Sequence, residues 1–371
     1  MNMQQATEFR VLQRFLYALA PWREEGTHAK APRRKAHCCL SFIIQHSAFI
    51  ICVFALPVSA QELSLLRKMP PDLLRYTGGA RPDDNGWVSY NQSGFKSPEF
   101  QGGAMHYMVR AVVRRDERCV EEGWRAIDAT FREQTEKGNF GLDGGPHGGP
   151  SAVAFWLADL DQALLILQES ELGAKYKQRI EQLTPKILKT ARWLAQPRYQ
   201  ERLKRDDADA PNRLLFDALA YGLSGVLTGD DELKRLGRRF ADLAMTQYRE
   251  SDGVFLEKGG ADSSYQAVAA LKLQVWAIHF PDRKLEAAIH RAVEWEIGRI
   301  GPDGQVDVTG NTRTGLGQEE WMGHEKGVNL SEVTLCLLYH YARTDSEPSL
   351  AAAQRIVAQR KAAREADSCR P

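Results

Sequence analysis

The sequence predicts an all-α protein built as a toroid of helical hairpins, an (α/α)5-6 incomplete barrel with short β-like turns on one rim. Two observations predict it. Helical segments of two kinds alternate along most of the chain, and long glycine-rich loops precede only one of these kinds. The 371 residues are 43% hydrophobic and 26% charged, which is typical of a soluble globular protein and argues against disorder.

The first kind of segment is apolar on nearly every face. Five such segments begin near residues 103, 151, 212, 263 and 329, at intervals of 48, 61, 51 and 66 residues. Each is followed by a segment with one apolar stripe, or at the end by a polar, alanine-rich one: 116–136, 172–196, 230–248, 284–300 and 346–366. A helix that is apolar all round must be surrounded, whereas a striped helix faces water on one side. We therefore predict inner and outer helices. An open solenoid is the alternative, although it would expose one side of its concave helices.

The first 60 residues differ from the rest. A basic group, Arg33 to Lys35, precedes an apolar stretch from Cys38 to Leu56, and small residues follow at Val58 and Ala60. This three-part pattern is that of a secretory signal. We predict that 1–60 are an N-terminal extension with a signal peptide, and that 61–371 form a single toroid domain in the periplasm or outside the cell. The apolar stretch contains polar residues, so we expect no stable membrane span after cleavage; an uncleaved anchor is the alternative.

Charge and cysteine content exclude several classes of function. Residues 1–60 hold seven Lys/Arg and three acids, a net of +4, so the remainder of this chain of net charge +1 carries −3. A slightly acidic body gives no support for nucleic-acid binding. The predicted mature part keeps Cys119, Cys336 and Cys369, an odd and widely spaced set that is neither a disulfide framework nor a zinc site.

The loops before the inner helices are predicted to hold the active site. In a ring of hairpins all inner helices run the same way, so their N-termini meet at one rim. The loops that lead into them are long: 80–103, 137–150, 201–212, 251–262 and 301–329. Long loops on one face of a rigid scaffold commonly carry function, and helix N-termini favour an anionic ligand. Trp87, Tyr90 and Trp321 in these loops could stack on sugar rings.

Polar residues at the starts of inner helices have a structural and a functional interpretation. Asp262, Asn212 and Asn329 are each placed to be an N-cap, and Glu332 completes a capping box for Asn329. Asp262 and Asn212 could also contact a ligand. Glu257 lies in the glycine-bounded turn that precedes Asp262.

Further candidates combine a reactive side chain with a rim position. Tyr265 lies in the first turn of its helix, where its ring either packs or points its hydroxyl into the mouth. His147 and His324 each lie between glycines, with little apolar surroundings to pack into. Arg213 and Arg313 could bind a carboxylate in a two-pronged geometry, or could be solvated surface groups.

With Asn, His, Arg and Tyr on the rim of such a ring, and the segment D-S-S-Y-Q-A-V at 262–268, the chain resembles the α/α-toroid polysaccharide lyases of the alginate-lyase type. The adjacent Asn-His pair of that family is absent. The resemblance implies β-elimination on a uronate-containing glycan. Asn212, Arg313 or Arg213 would neutralise the uronate carboxylate, and His324 or Tyr265 would be the base. Tyr265 would be the acid, and His147 could replace His324. Tyr265 could act as base only if nearby positive charge lowered its pKa.

Two other functions stay open at this point. A glycoside hydrolase would use Asp262 or Glu257 with one of Glu319, Glu320 or Glu325, since glycoside hydrolysis needs two facing carboxyl groups. A non-catalytic glycan-binding protein of the envelope is the third possibility. In each case the expected partner is a polysaccharide or oligosaccharide, anionic for the lyase, and we predict no cofactor and no metal.

Overall fold

The computed structural model describes residues 62–141, 149–317, 319–321 and 323–368. These residues form thirteen α-helices, two short 3-10 helices (Ser89–Ser93 and Pro98–Gln101) and two two-stranded hairpins. The strands are β1 (Tyr248–Arg249) with β2 (Val254–Phe255), and β3 (Glu320–Trp321) with β4 (His324–Glu325). The helices are α1 (Glu62–Lys68), α2 (Pro71–Leu74), α3 (Gly102–Arg114), α4 (Glu117–Arg132), α5 (Pro150–Glu169), α6 (Gly173–Leu194), α7 (Pro197–Asp206), α8 (Pro211–Thr228), α9 (Asp231–Met245), α10 (Ser263–His279), α11 (Arg283–Gly298), α12 (Leu330–Thr344) and α13 (Glu347–Ser368).

Ten of these helices form five consecutive hairpins. The inner helices α3, α5, α8, α10 and α12 pack side by side in chain order, and each also packs against the helix that follows it in its own hairpin. Helix α1 contacts both α12 and α3, so it closes the ring between the last hairpin and the first. The predicted all-α toroid of helical hairpins is confirmed, with five hairpins and short β-structure in its loops.

Burial separates the two kinds of helix as their sequences predict. Every residue of α10 from Gln266 to Ile278 is buried, whereas the outer helix α4 keeps Glu121, Arg125 and Asp128 in solvent. Apolar burial on this scale is the main favourable term in folding. Within the described residues one helix, α5, is long and apolar enough to span a membrane, and 78% of its most apolar window is buried inside the protein.

Helix α1 closes the end of the ring opposite the inner-helix N-termini through Glu62, whose side chain is fully buried. One carboxylate oxygen accepts from the Tyr339 hydroxyl and from the Gln162 amide, both at 2.6 Å. The other lies 3.2 Å from Nε2 of His279. Because three inner helices supply these partners, one carboxylate ties α5, α10 and α12 to the first helix of the ring.

Some local predictions were wrong. The stretch 201–212, predicted as a loop, contains most of α7, whose first turn begins at Pro197, a residue well suited to a helix start. Residues 62–74 form two short helices instead of one, because Pro70 and Pro71 cannot continue α1. The predicted boundary at residue 60 stays a prediction, since 1–61 lie outside the described residues. Cys119 and the buried Cys336 are free thiols.

Replacing Glu62 with alanine should destabilise the protein by about 3 kcal/mol, because it leaves the buried Tyr339 hydroxyl and Gln162 amide without their acceptor. Urea unfolding of the variant and the parent chain measures this change. The control is Glu171→Ala, which removes an exposed carboxylate that also pairs with α1, through Arg67. Because this ion pair is exposed to solvent, its loss should destabilise the protein far less than the loss of Glu62. An equal loss in both variants would contradict the role given to Glu62.

Asp161 on α5 should make stability fall as pH rises. Burial raises its pKa to about 8, although the Ser224 hydroxyl donates to it. The folded state therefore holds a proton between pH 4 and 8 that the unfolded chain has released. The unfolding free energy should fall across this range by up to about 1.4 kcal/mol per pH unit. Asp161→Asn should flatten this slope in urea titrations at several pH values. An unchanged slope would show that Asp161 does not carry the effect.

Candidate functional site

The N-terminal ends of the inner helices meet at one mouth of the ring. The backbone N–H of Asn329, at the start of α12, donates to the Ser264 hydroxyl at the start of α10 at 3.0 Å. Phe155 of α5 packs on Phe216 of α8, with ring centroids 4.5 Å apart. Between these ends lies a cavity of about 440 Å³, the rim cavity, lined by Phe155, Tyr265, Val268, Glu332 and the loop residues 324–327, among others. This volume lies within the range of about 300–1,000 Å³ that is usual for ligand pockets.

Asp262 builds the wall of this mouth rather than its reactive surface. Its side chain is fully buried, and one oxygen caps α10 by accepting from the backbone N–H groups of Ser264 and Tyr265. The other accepts from the N–H groups of Arg313 and Thr314 at 2.9 and 2.8 Å. The predicted N-cap is confirmed. Because both of its oxygens accept from protein donors, Asp262 holds the loop 301–329 against the start of α10.

Arg313 organises the polar wall of the rim cavity. Its guanidinium donates to Glu257 and to Glu319, the latter at 2.8 Å, and lies over the Tyr265 ring at 4.5 Å from the ring centroid. Lys326 reaches the other Glu319 oxygen at 3.4 Å and the same ring at 4.9 Å. Arg313 lies beside the rim cavity through its contact with Tyr265, but two carboxylates already occupy its guanidinium.

Glu257 is 1% exposed, and burial raises its pKa to about 7 despite the pairing with Arg313. Its second oxygen is buried and has no hydrogen-bond partner among the described residues. The loop therefore holds a carboxyl group that titrates near neutrality. Because Glu257 does not line the rim cavity, it supports Arg313 and does not itself face the open space.

Tyr265 lines the rim cavity, and its hydroxyl makes no hydrogen bond to any described residue. To act as a base, Tyr265 would need a lowered pKa, but its surroundings raise the pKa. Burial raises the pKa of Tyr265, and the positive charge of Arg313 offsets this only in part. The hydroxyl therefore stays protonated at neutral pH. It can donate a proton or a hydrogen bond, but it is a poor base.

His324 and Glu325 form strand β4 and line the outer edge of the same cavity. Both are exposed, and the Glu325 carboxylate accepts from the N–H of Gly317 at 3.0 Å. Strand β3 carries Glu320, which is exposed, and Trp321, whose side chain is outside the described set. The structure thus brings together Tyr265, Arg313 and His324 of the predicted group.

Asn212 and Arg213 occupy the first turn of α8 in a manner that the sequence did not predict. The N-cap of α8 is Ala210, because Pro211 takes the first helical position, so the predicted cap at Asn212 is wrong. Asn212 is buried, and its side-chain oxygen has no partner among the described atoms. Arg213 pairs with the buried Asp207 at 2.9 Å and lies 5.8 Å from the Phe155 ring centroid. Neither residue lines the rim cavity.

The remaining predicted contacts lie elsewhere. Trp87 packs on Phe95 and Tyr90 on Phe100, with centroid distances of 5.5 and 5.1 Å, and neither lines the rim cavity. Their aromatic surface therefore stabilises the loop 80–103 instead of facing the mouth. His147 lies outside the described residues, so its predicted role stays a prediction. Asn329 caps α12 and donates to Glu332 at 2.5 Å, so the predicted capping box is confirmed in modified form.

Below the mouth, the inner helices carry a layer of ionisable side chains that sequence reasoning missed. This polar layer consists of His106 from α3, Asp159 from α5, Lys272 from α10 and Glu332 from α12. The Lys272 ammonium is 2% exposed, 3.0 Å from one Asp159 oxygen and 4.1 Å from the centroid of the Phe216 ring of α8. Nε2 of His106 lies 3.7 Å from the other Asp159 oxygen. Four of the five inner helices therefore contribute to this layer, and the fifth, α8, supplies the Phe216 ring that packs on Lys272.

Helical spacing connects the polar layer to the rim cavity. Tyr265, Val268 and Lys272 follow one face of α10, and Phe155 and Asp159 follow one face of α5. Glu332 belongs to both groups, since it also lines the rim cavity. The polar layer therefore lies about one helical turn below the rim cavity, on the same inward faces of the inner helices.

The two carboxyl groups of the polar layer have opposite properties. Burial would raise the pKa of Asp159, but the charges of Lys272 and His106 outweigh it and hold the pKa below its usual value. Burial raises the pKa of Glu332, Lys272 and His106 offset this only in part, and the negative charge of Asp159 adds to the increase. Asp159 is therefore a stable carboxylate, and Glu332 retains its proton to higher pH. Such a separation is typical of a base and an acid that act together.

No group of three or more His, Cys, Asp or Glu side chains in the described ranges has the arrangement of a metal site.

Comparisons with known proteins gave one result. No protein-family model matches the chain, and no curated protein matches it. Among solved structures the chain is similar to an unsaturated glucuronyl hydrolase from Bacillus sp. GL1, responsible for the degradation of glycosaminoglycan. The TM-score is 0.47 and the identity 16%, over 78% of this chain and 82% of that one. A likeness of this degree does not bear on the chemistry of the site.

Replacing Arg313 with methionine should destabilise the protein by about 2–3 kcal/mol, because the buried Glu257 loses its partner. Combining it with Glu257→Gln should recover much of that loss, since no unpaired carboxylate is then left buried. Urea unfolding of the two single variants and the double variant measures the coupling. A double variant no more stable than Arg313→Met would contradict the pairing as the source of the effect.

Proposed function

We propose that this protein is a carbohydrate-active enzyme that hydrolyses a glycosidic bond in an anionic saccharide bound in the rim cavity. The observation that carries this proposal is the position of Asp159 and Glu332 in one layer below the cavity, with Lys272 beside Asp159. Glycoside hydrolysis commonly uses two carboxyl groups, one protonated and one ionised, on the two sides of the bond to be broken.

The roles follow from the electrostatics of the layer. Glu332, whose pKa is raised by burial, is the general acid that protonates the leaving oxygen. Asp159, kept ionised by Lys272 beside it, lies one turn of α5 below Phe155 and does not itself line the rim cavity, so its role is that of the base that acts on the substrate through a water molecule. Lys272 and His106 position Asp159 and maintain its charge.

The walls of the cavity account for the substrate class. Phe155 and Tyr265 offer aromatic surface for a sugar ring, and the Tyr265 hydroxyl can donate a hydrogen bond. Lys326 lines the same space, and burial followed by the charge of Arg313 lowers its pKa. A bound carboxylate or sulfate group would relieve this clustering of positive charge, which favours an anionic saccharide over a neutral one.

A second candidate is the polysaccharide lyase that the sequence predicts. The observation that favours it is the unbonded Tyr265 hydroxyl in one cavity with His324, beside two cations. In that mechanism His324 takes the proton next to the uronate carboxylate and Tyr265, whose pKa is raised, donates a proton to the leaving oxygen.

Incubating the protein with a panel of uronate-containing and neutral oligosaccharides separates these functions. Hydrolysis produces new reducing ends without new ultraviolet absorbance, whereas β-elimination produces both. For hydrolysis we expect Glu332→Gln and Asp159→Asn each to lower kcat by about 10²–10⁴-fold. Tyr265→Phe should have a smaller effect, because the phenol would lose only a hydrogen bond.

The matched control is Glu320→Gln, an exposed rim carboxylate outside the rim cavity, which should leave the rate within about twofold of the parent. Loss of activity in Tyr265→Phe with near-normal rates in the two layer variants, together with rising absorbance, would favour the lyase. Binding without cleavage of any saccharide would leave only a glycan-binding role.

A further inference from the structure

A second, smaller cavity lies deeper in the ring, on the other side of the polar layer from the mouth. This inner cavity has a volume of about 30 Å³ and is lined by side chains of α1, α2, α3, α5, α10 and α12. Half of them are aliphatic. Three of the others, Arg110, His106 and Lys272, carry basic groups, and no carboxylate lines this small internal space.

Arg110 carries a charge that no described residue balances. It forms no ion pair, and its Nη1 atom is buried without a hydrogen-bond partner. By contrast, Lys272 at the same cavity pairs with Asp159 at 3.0 Å. The charged neighbour that acts on Arg110 is another cation, Arg114, and burial followed by this repulsion lowers the pKa of Arg110.

The backbone packs directly on this guanidinium. A Cβ atom at Gly79 would lie 2.7 and 2.8 Å from the two terminal nitrogens of Arg110, and Gly79 has a φ of +94°, which favours glycine. Only a residue without a side chain lets the chain cover Arg110 so closely. The fold therefore shields the guanidinium from solvent at this point and supplies no counter-charge.

Arg110 is half-buried as a whole, but its Nη1 atom is held away from water without a partner, and this is costly because arginine cannot lose its proton. The usual solution is a counterion. A cavity needs about 10–15 Å³ to hold one water molecule, so about 30 Å³ admits one halide-sized ion or about two waters, and no saccharide.

We propose that the inner cavity binds one small monovalent inorganic anion of chloride's size, held by the Arg110 guanidinium. The Thr77 hydroxyl also lines the cavity, but it is not available to bind the ion, because it donates its proton to the carbonyl of Leu74 at 2.7 Å. The inference is independent of the proposed enzyme activity, because it concerns the charge balance of the folded chain alone.

Thermal and urea unfolding of the chain across a chloride series, with sodium gluconate keeping ionic strength constant, tests this proposal. Gluconate is too large for the cavity. Above the dissociation constant, each tenfold increase in chloride should raise the folding equilibrium constant tenfold, as expected for one bound ion. Bromide should substitute for chloride. Stability that depends only on ionic strength would overturn the proposal.

Arg110→Met should abolish the difference between chloride and gluconate. The matched control is Arg114→Met, an exposed arginine one turn further along α3, which should retain it. Should Arg110→Met fail to fold, crystals of the parent protein grown in bromide give the second measurement. An anomalous peak within hydrogen-bond distance of Arg110 supports the site. A cavity that holds only waters in that map, or an Arg110→Met variant that keeps the chloride dependence, refutes it.

Discussion

The ion pair between Lys272 and Asp159 is the interaction on which the interior of the ring depends. The two residues come from α10 and α5, which are separated in the ring by α8, so the pair bridges the hollow rather than a helix–helix contact. Without Lys272, Asp159 would be a buried carboxylate with only His106 nearby, and burial would raise its pKa. The charge state of the polar layer, and hence the acid and base roles proposed for it, follows from this one pair.

The carboxyl groups near the mouth show how differently one functional group can be used. Asp262 accepts only protein donors and joins a loop to a helix. Glu257 is buried against Arg313 and keeps that guanidinium over the Tyr265 ring. Glu332 alone combines a raised pKa with contact to the open cavity. Position relative to the hollow, more than residue type, therefore decides which acid can meet a ligand.

Periodicity predicted the fold well, because a helix that is apolar on all faces must be surrounded by other helices, as the inner helices of a ring are. It also predicted the caps Asp262 and Asn329, and it brought Tyr265, Arg313 and His324 to one mouth. It failed at Asn212, because Pro211 takes the first helical position and the N-cap is Ala210, two positions earlier. It also missed Asp159 and Lys272, since one charge in an apolar helix resembles an isolated exception until the facing helices are known. Glu332 was assigned only to capping, although the same side chain reaches the cavity. The available signal was the presence of opposite charges in two separate inner segments.

The closure of the ring through Glu62 has a consequence for how the chain reaches its native state. Glu62 accepts a hydrogen bond from Tyr339, which lies 277 residues later in the chain. The first described helix therefore cannot complete its contacts until the last inner helix has been synthesised. Hairpins of neighbouring helices can form early from local contacts, whereas the contact between α1 and α12 forms only after α12 has been synthesised. Until then the buried carboxylate and the apolar face of α1 stay exposed, and a nascent chain that stalls before residue 339 would be prone to aggregate.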